Sequence, residues 1–585
     1  MSMTIIRKTL AVTMTAAISL AAVASCSGNV EEPPKPVYEG TVRQKIDAFY
    51  EDHIDTAAGM AVAVFDENGV EYEGYYGYSN LEEQIPVNEN TVFDWGSTTK
   101  TMVWISVMQL WEQGLIDLEA DVRDYLPEGF LTNLSYDKPV RMIDLMNHRA
   151  GFQEFYTDMF QQPQFDILSL EDALQLDQPD QVFEPDTVTA YSNWGVALAG
   201  YIVERVSGMS FCDYVHENIL DPLGMEHTAL APDLSDNMWV RTQRENLVCY
   251  TGRIPMGNAF YLIELYPAGS CVSTLDDYLT YASCFVQDEF PLFEDPGTFD
   301  VMMSATSFYA ETDVVRNAHG FWALPFGSNT YGHGGNTRGC SSYITFDPVA
   351  KTGAVVMTNQ AGEGYFNGEM FELIYGENAW DFSIPDNVRE GLYHPARTVL
   401  NGHFRIMGVG YTTQDELSDM LWTYNELNGI PKIEYMYGDF YYSSMGHALF
   451  EVILVYATVA GLLFTVISLL VKLIRFIVNS IRKKKPAIIL GKWSVIVSVL
   501  ELIIVGLLLL MAALVMSWLP HGSYLWIFPM VGVLTVLLAL ITAYGFRNYI
   551  HKRKQMTVLR RIYNVFVTLF AVIDIVFIFY MQLWH

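Results

Sequence analysis

Basic residues are scarce in this chain. Thirty-four Lys and Arg stand against 67 Asp and Glu in 585 residues, a formal net charge of −33 at neutral pH. Phosphate backbones are held by basic surface, so nucleic acid is excluded as a partner. Cysteine is scarcer still. The six are Cys26, Cys212, Cys249, Cys271, Cys284 and Cys340, and no C-x-x-C occurs. That spacing supports neither a zinc site nor a disulfide framework, and no metal or cofactor is expected. The last five read as buried thiols, with one bridge left open for an exported domain. Apolar residues are plentiful. A hydrophobic share of 51% and an aromatic share of 14% exclude disorder, and the length allows two or three domains.

The charge is unevenly placed. From Gly446 onward lie 13 of the 34 basic but only 3 of the 67 acidic residues, so the first 445 residues carry −43 and the remainder +10. An acidic soluble part is joined to a basic membrane module. At the start, Arg7 and Lys8 precede the uncharged stretch Leu10 to Ala24, too short and Ala-rich for a span and typical of a secretory signal. Val23-Ala24-Ser25-Cys26 resembles a bacterial lipobox, which implies a lipoprotein-type signal peptide over 1–25 and lipidation of Cys26. Residues 26–40, with Pro33, Pro34 and Pro36, read as a polar tether. At the end, the runs 448–471, 493–519, 523–546 and 562–584 can each cross roughly 30 Å of hydrocarbon as a helix. Lys472, Arg475, Arg482 to Lys485 and Lys492 separate the first two spans, and Arg547, Lys552 to Lys554, Arg560 and Arg561 the last two. By the positive-inside rule both loops are cytoplasmic, which puts residues 26–446 outside a bacterial inner membrane. Glu501 and Asp574 fall deep within spans, where an ionisable group is costly; a function or a neutral carboxyl hydrogen-bonded between helices would each account for them.

The middle carries the chemistry. A helix is expected over 42–54, then a hairpin of Ala61–Phe65 and Val70–Tyr78 turning at Asn68-Gly69. A long helical region follows, and strands return at Ser342–Phe346 and Ala354–Thr358. Strands at both ends with helices between predict one α/β domain whose sheet is closed by both chain ends. Ser97-Thr98-Thr99-Lys100 opens a helical stretch, Thr101 to Gln113, that Gly114 can end. At i and i+3 the Lys100 amine can reach the Ser97 hydroxyl and ease its loss of a proton. Two copies of the pattern lack this setting: Ser135-x-x-Lys138 runs into Pro139, and Ser480-x-x-Lys483 lies in a basic loop. Tyr191-Ser192-Asn193 supplies a tyrosinate able to accept the serine proton and an amide able to orient substrate; its twin Tyr78-Ser79-Asn80 lies in the hairpin. His333-Gly334-Gly335-Asn336 precedes a strand, its glycines allowing close backbone approach and the next N–H completing an oxyanion hole. His333 could donate to a carboxylate or carbonyl, or serve only as a turn histidine.

The order Ser-x-x-Lys, Tyr-x-Asn, His-x-Gly resembles the serine β-lactamase and penicillin-binding protein superfamily, in its class C β-lactamase-like branch. Phe93-Asp94-Trp95-Gly96-Ser97, Pro222-Leu223-Gly224-Met225 and Pro267-Ala268-Gly269-Ser270 with Ser273-Thr274 also match, so the resemblance covers about residues 41–378. It implies an antiparallel sheet flanked by helices plus an all-α lobe, with the site between them. Ser97 would be acylated, Lys100 and Tyr191 would manage its proton, and the N–H groups of Ser97 and Asn336 would hold the oxyanion. Asn193, His333, Gly335 and Asn336 would bind substrate.

Departures shape the substrate expectation. His333 stands where class C β-lactamases usually have Lys, as in esterases and D-amino-acid peptidases of this branch. Asn147-His148-Arg149-Ala150-Gly151 replaces a His-Thr-Ser-Gly run, and Asp186 stands where the family usually has Gly. A small peptide, amide or ester with a D-amino acid is the expected substrate. A true β-lactamase, or a β-lactam-binding envelope sensor without turnover, are the alternatives. The hydrolase-plus-spans layout also resembles periplasmic prodrug-activating peptidases, with four spans here rather than three. Residues 379–446, rich in Tyr and Asn with a possible helix at Gln414–Asn428, read as either a linker above the lipid surface or a small element docked on the hydrolase. Oligomeric state is not legible.

Overall fold

The computed structural model describes residues 36–154, 160–310, 312–380, 382, 388–389, 391–399, 404–405, 412–413, 423–482, 492–515, 517 and 523–583. The signal segment, Cys26, most of the tether and Lys483 lie outside these residues.

Helix α1 (Val42–Asp52) begins with a capping box, in which the Thr41 hydroxyl accepts from Gln44 N and Gln44 Oε1 accepts from Thr41 N. Strands β1 (Gly59–Asp66) and β2 (Gly69–Asn80) form the expected hairpin at Asn68-Gly69. Strand β3 (Ile85–Pro86) and helices α2 (Lys100–Glu112), α3 (Asn193–Ser207) and α4 (Leu275–Ser283) follow. The chain then returns to the sheet through β4 (Ser307–Phe308), β5 (Val315–Ala318), β6 (Phe321–Ala323), β7 (Tyr331–Asn336), β8 (Ser341–Asp347) and β9 (Thr352–Thr358). The antiparallel order is β4-β5-β6-β7-β8-β9-β1-β2-β3, so both ends of the domain meet at the β1–β9 pair, with Met60 opposite Thr358.

Both faces of this sheet are covered. Met60, Val62 and Val64 pack with Ile46, Phe49 and Tyr50 of α1, while Ala61, Ala63 and Phe65 pack with Leu275 and the helical lobe. Burial on two faces is why β1 is almost wholly apolar. Helix α2 is buried from Lys100 to Leu110, with α3 packed against it. A helix apolar all round belongs in a core, and this one carries Lys100 into it.

Beyond Gly376 the structure departs from expectation. Residues 423–427, part of the expected helix Gln414–Asn428, form strand β12 (Thr423–Leu427), and 414–422 lie outside the described residues. With β10 (Leu392–Pro395), β11 (Thr412–Thr413), β13 (Ile430–Tyr435) and β14 (Gly438–Ser443) it makes a second sheet, ordered β11-β10-β14-β13-β12. Asn428 and Gly429, at φ 53° and 77°, turn β12 into β13, since two adjacent positive-φ positions match a tight hairpin and break a helix. This sheet docks on the hydrolase. Asp439 N donates to Thr189 O at 2.9 Å, and Thr189 N donates to Asp439 Oδ2 at 3.1 Å. Around that contact a buried ion group holds Arg316 2.8 Å from Asp439, Lys432 3.1 Å from Asp439 and Lys432 2.8 Å from Glu434.

Four helices follow: α5 (Met445–Ile481), α6 (Lys492–Val515), α7 (Ile527–Lys552) and α8 (Val558–Tyr580). Each is long and apolar enough to cross a membrane.

Candidate active site

The Ser97 turn is fastened to the sheet before any catalytic group is placed. Gly96–Thr99 form a 3-10 turn leading into α2. The Trp95 carbonyl accepts from Thr98 Oγ1 and from Ser342 Oγ of β8, each at 2.7 Å. Gly96 has φ 54°, and a Cβ there would lie 2.6 Å from Asn336 N. A Cβ on Gly335 would lie 1.8 Å from the Trp95 carbonyl oxygen. These glycines therefore let the strand approach the Ser97 turn; the close approach expected of a substrate at Gly335 is made by Trp95 instead. Asn336 N is brought against Gly96, the residue before Ser97.

Lys100 sits fully buried with Nζ 2.9 Å from Ser97 Oγ. It donates to the Ala268 carbonyl at 2.5 Å, which gives Pro267-Ala268-Gly269-Ser270 a structural task. Among the described residues Lys100 has no ion pair. Burial, opposed only by the field of Glu154 and aided by Arg397, holds its amine well below the usual lysine range.

Tyr191 ends the strand-like segment before α3, and Ser192 caps that helix by accepting from Gly195 N at 3.0 Å. The Lys100 amine lies 5.1 Å from the Tyr191 ring centroid. The Tyr191 hydroxyl is buried and without a hydrogen-bond partner, with Ser97 the hydroxyl near enough to stabilise its anion. Burial outweighs that help and pushes the phenol up, so Tyr191 rests protonated rather than as the tyrosinate expected from sequence. His148 stacks on its ring at 4.4 Å and accepts from Ser192 N at 3.2 Å. The altered 147–151 loop thus still supports the Tyr191 segment. Asp186 has φ 62°, a left-handed position that suits the glycine the resemblance implies there.

His333 is buried on β7. Its Nδ1 lies 2.6 Å from the Gly334 carbonyl, which can only accept, so the ring proton is on Nδ1. Burial, then the Lys100 charge, pushes His333 down to about 3. The ring is neutral, and its buried Nε2, without a hydrogen-bond partner among the described residues, can only accept. Asn193 also has a partner: its N and Nδ2 donate to Glu154 Oε2 at 3.2 and 3.1 Å. The Asn336 side chain instead holds Ser341 Oγ at 2.7 Å and Gly362 N at 3.1 Å, leaving its backbone to face the site.

Ser97, Tyr191, Asn193, His333, Gly335 and Asn336 share one cavity of about 420 Å³. Two of its lining residues, Arg397 and Tyr437, come from beyond the matched stretch and went unread in the sequence. Arg397 donates to Glu154 Oε2 at 2.7 Å and lies 5.0 Å from the Tyr191 ring centroid. Tyr437, in the turn between β13 and β14, meets Tyr191 edge-on at 6.2 Å. The Tyr-rich composition of 379–446 and the acid just after the 147–151 loop were the available signals. The two twin motifs stand apart: Lys138 donates to the Pro185 carbonyl at 2.8 Å, and Ser79 to the Ile85 carbonyl at 3.2 Å.

Comparison with known proteins agrees with this architecture. The chain is 26% identical over 232 residues to penicillin-binding protein 4* of Bacillus subtilis, covering 37% of this chain and 50% of that one. It is 27% identical over 188 residues to teichoic acid D-alanine hydrolase of Staphylococcus aureus, covering 32% and 44%. The chain thus spans about half the length of these relatives. Among solved structures, that of SurE superposes with TM-score 0.50 at 18% identity, covering 70% of this chain and all of that one, which speaks to fold alone. A family model described as beta-lactamase matches residues 44–375, more than half of the chain and all of the stretch that brings Ser97, Lys100, Tyr191 and His333 together. The chain belongs to the beta-lactamase family of serine hydrolases.

Proposed function

We propose that this protein is a membrane-anchored, extracytoplasmic hydrolase of D-amino-acid amides, peptides or esters, working through an acyl-enzyme at Ser97. The observation that carries the reading is the buried, unpaired Lys100 amine 2.9 Å from Ser97 Oγ. Lys100 takes the Ser97 proton as Oγ attacks the carbonyl carbon. The oxyanion lies between the N–H groups of Ser97 and Asn336. Tyr191, protonated at rest, passes a proton to the leaving nitrogen or oxygen and regains one from Lys100. Water then cleaves the ester at Ser97 by the same route in reverse.

The electrostatics favour a substrate without a carboxylate beside His333. That ring is neutral, and Arg397 is already paired with Glu154. The name of the Staphylococcus aureus relative, teichoic acid D-alanine hydrolase, supports a D-amino-acid substrate. Anchoring is supported by the four apolar helices, and the extracytoplasmic side by the basic loops. Phe160 lines the cavity, and Gln162 donates to the carbonyl of Ser517 between α6 and α7. A panel of D- and L-alanyl amides and esters with nitrocefin tests the reading. Turnover of D-alanyl substrates above nitrocefin, lost in Ser97→Ala, is expected; nitrocefin as the best substrate would make the protein a β-lactamase.

A further inference from the structure

The membrane helices enclose a second polar site, far in chemistry from the first. A cavity of about 180 Å³ is lined by Leu462, Ile504, Val505, Leu508 and other apolar side chains, and by Thr458, Glu501 and Asp574. Among the described residues no basic side chain lines it. Glu501 and Asp574 are only 3% and 6% exposed. Glu501 Oε2 accepts from Thr465 Oγ1 at 2.7 Å, but Glu501 Oε1, both oxygens of Asp574 and Thr458 Oγ1 have no hydrogen-bond partner. Four buried polar atoms on three residues that line one cavity leave a large desolvation cost unmet.

A pair of carboxyls sharing a proton would have an oxygen of one bonded to the other. Neither oxygen of Asp574 is so placed. What the site lacks is a donor that bridges several oxygens and carries positive charge. The cavity exceeds the ~30 Å³ of a single water, so it has room for more than an inorganic ion. Its rim includes Leu509, which is 65% exposed on the lipid-facing surface, so an aliphatic chain can leave sideways into the bilayer.

From this we infer that the helix bundle binds the ammonium head of a primary alkylamine amphiphile, with its three N–H groups on Glu501, Asp574 and Thr458 and its chain against α6 and α8. The site is separate from Ser97 and does not rest on the reaction proposed there.

The test uses the full-length protein in phosphatidylcholine nanodiscs and dodecylamine carrying a mid-chain diazirine. Irradiation is expected to label peptides containing Leu508 or Phe577. Unmodified dodecylamine should displace the probe, and dodecanol should not. In Glu501→Gln/Asp574→Asn, labelling should fall about tenfold or more, while fluorophosphonate labelling of Ser97, a check on folding, persists. Equal displacement by dodecanol and dodecylamine in the wild-type protein would overturn the inference whether or not the double variant folds. Undiminished labelling of a folded double variant would overturn it too, leaving the cavity to water between protonated carboxyls.

Discussion

Asp439→Ala tests whether residues 388–443 are part of the catalytic domain. Asp439 is 1% exposed and lies within 2.8 Å of Arg316 and 3.1 Å of Lys432, with Glu434 the only other acid in the group. Two cations and two anions balance in the native state. Without Asp439 a buried positive charge is left over, and breaking such a group costs about 3–5 kcal/mol. The hydrogen bond from Thr189 N is lost as well, two residues before Tyr191. The second sheet should loosen, carrying Tyr437 and Arg397 out of the cavity. Limited proteolysis in detergent should then cut within 388–443, and thermal unfolding should begin several degrees lower. KM should rise, because Arg397 holds Glu154 and, through it, Asn193. Asp439→Asn keeps an acceptor for Thr189 and should fall between. Wild-type protease resistance and thermal midpoint in Asp439→Ala would refute the reasoning.

Other substitutions probe the site. Arginine cannot become a neutral base, so Lys100→Arg should slow fluorophosphonate labelling of Ser97 about a hundred- to ten-thousandfold; labelling at the wild-type rate would assign the base elsewhere. His333 stays neutral in the folded state down to about 3 but takes a proton at about 6.5 when unfolded, so its contribution to stability is complete above 6.5 and is lost as pH falls toward 3. Between pH 7 and pH 5 that loss is about 2 kcal/mol, and His333→Asn should flatten the urea midpoint over this range by that amount. Gly335→Ala places a methyl against the Trp95 carbonyl, so β7 must retreat from the Ser97 turn, at about 1–3 kcal/mol; a labelling rate unchanged from wild type would contradict the close approach.

The fold was legible where local signals and burial agree. Asn68-Gly69 marked the first hairpin, and the apolar run before it marked a strand closed by β9. The site was legible because Ser97 and Lys100 are three residues apart on one turn, while Tyr191 and His333 were joined to them only through a family resemblance. Spacing along the chain holds no information on Glu154, Arg397 and Tyr437, which meet across 243 or more residues or through a separate sheet. Asn428-Gly429 was as clear a hairpin signal as the first, yet the polar run before it read as helical. Charge states were the least legible. That the Lys100 amine is pushed down and the Tyr191 phenol up follows from burial, which emerges only once α2 is enclosed.

The most direct measurement is the mass of the intermediate. Full-length protein mixed with an N-acyl-D-alanyl thioester and quenched in acid should gain the mass of the acyl group, mapped to the peptide that begins the α2 helix and absent in Ser97→Ala. An adduct on any other residue, or hydrolysis that persists in Ser97→Ala, would contradict the account.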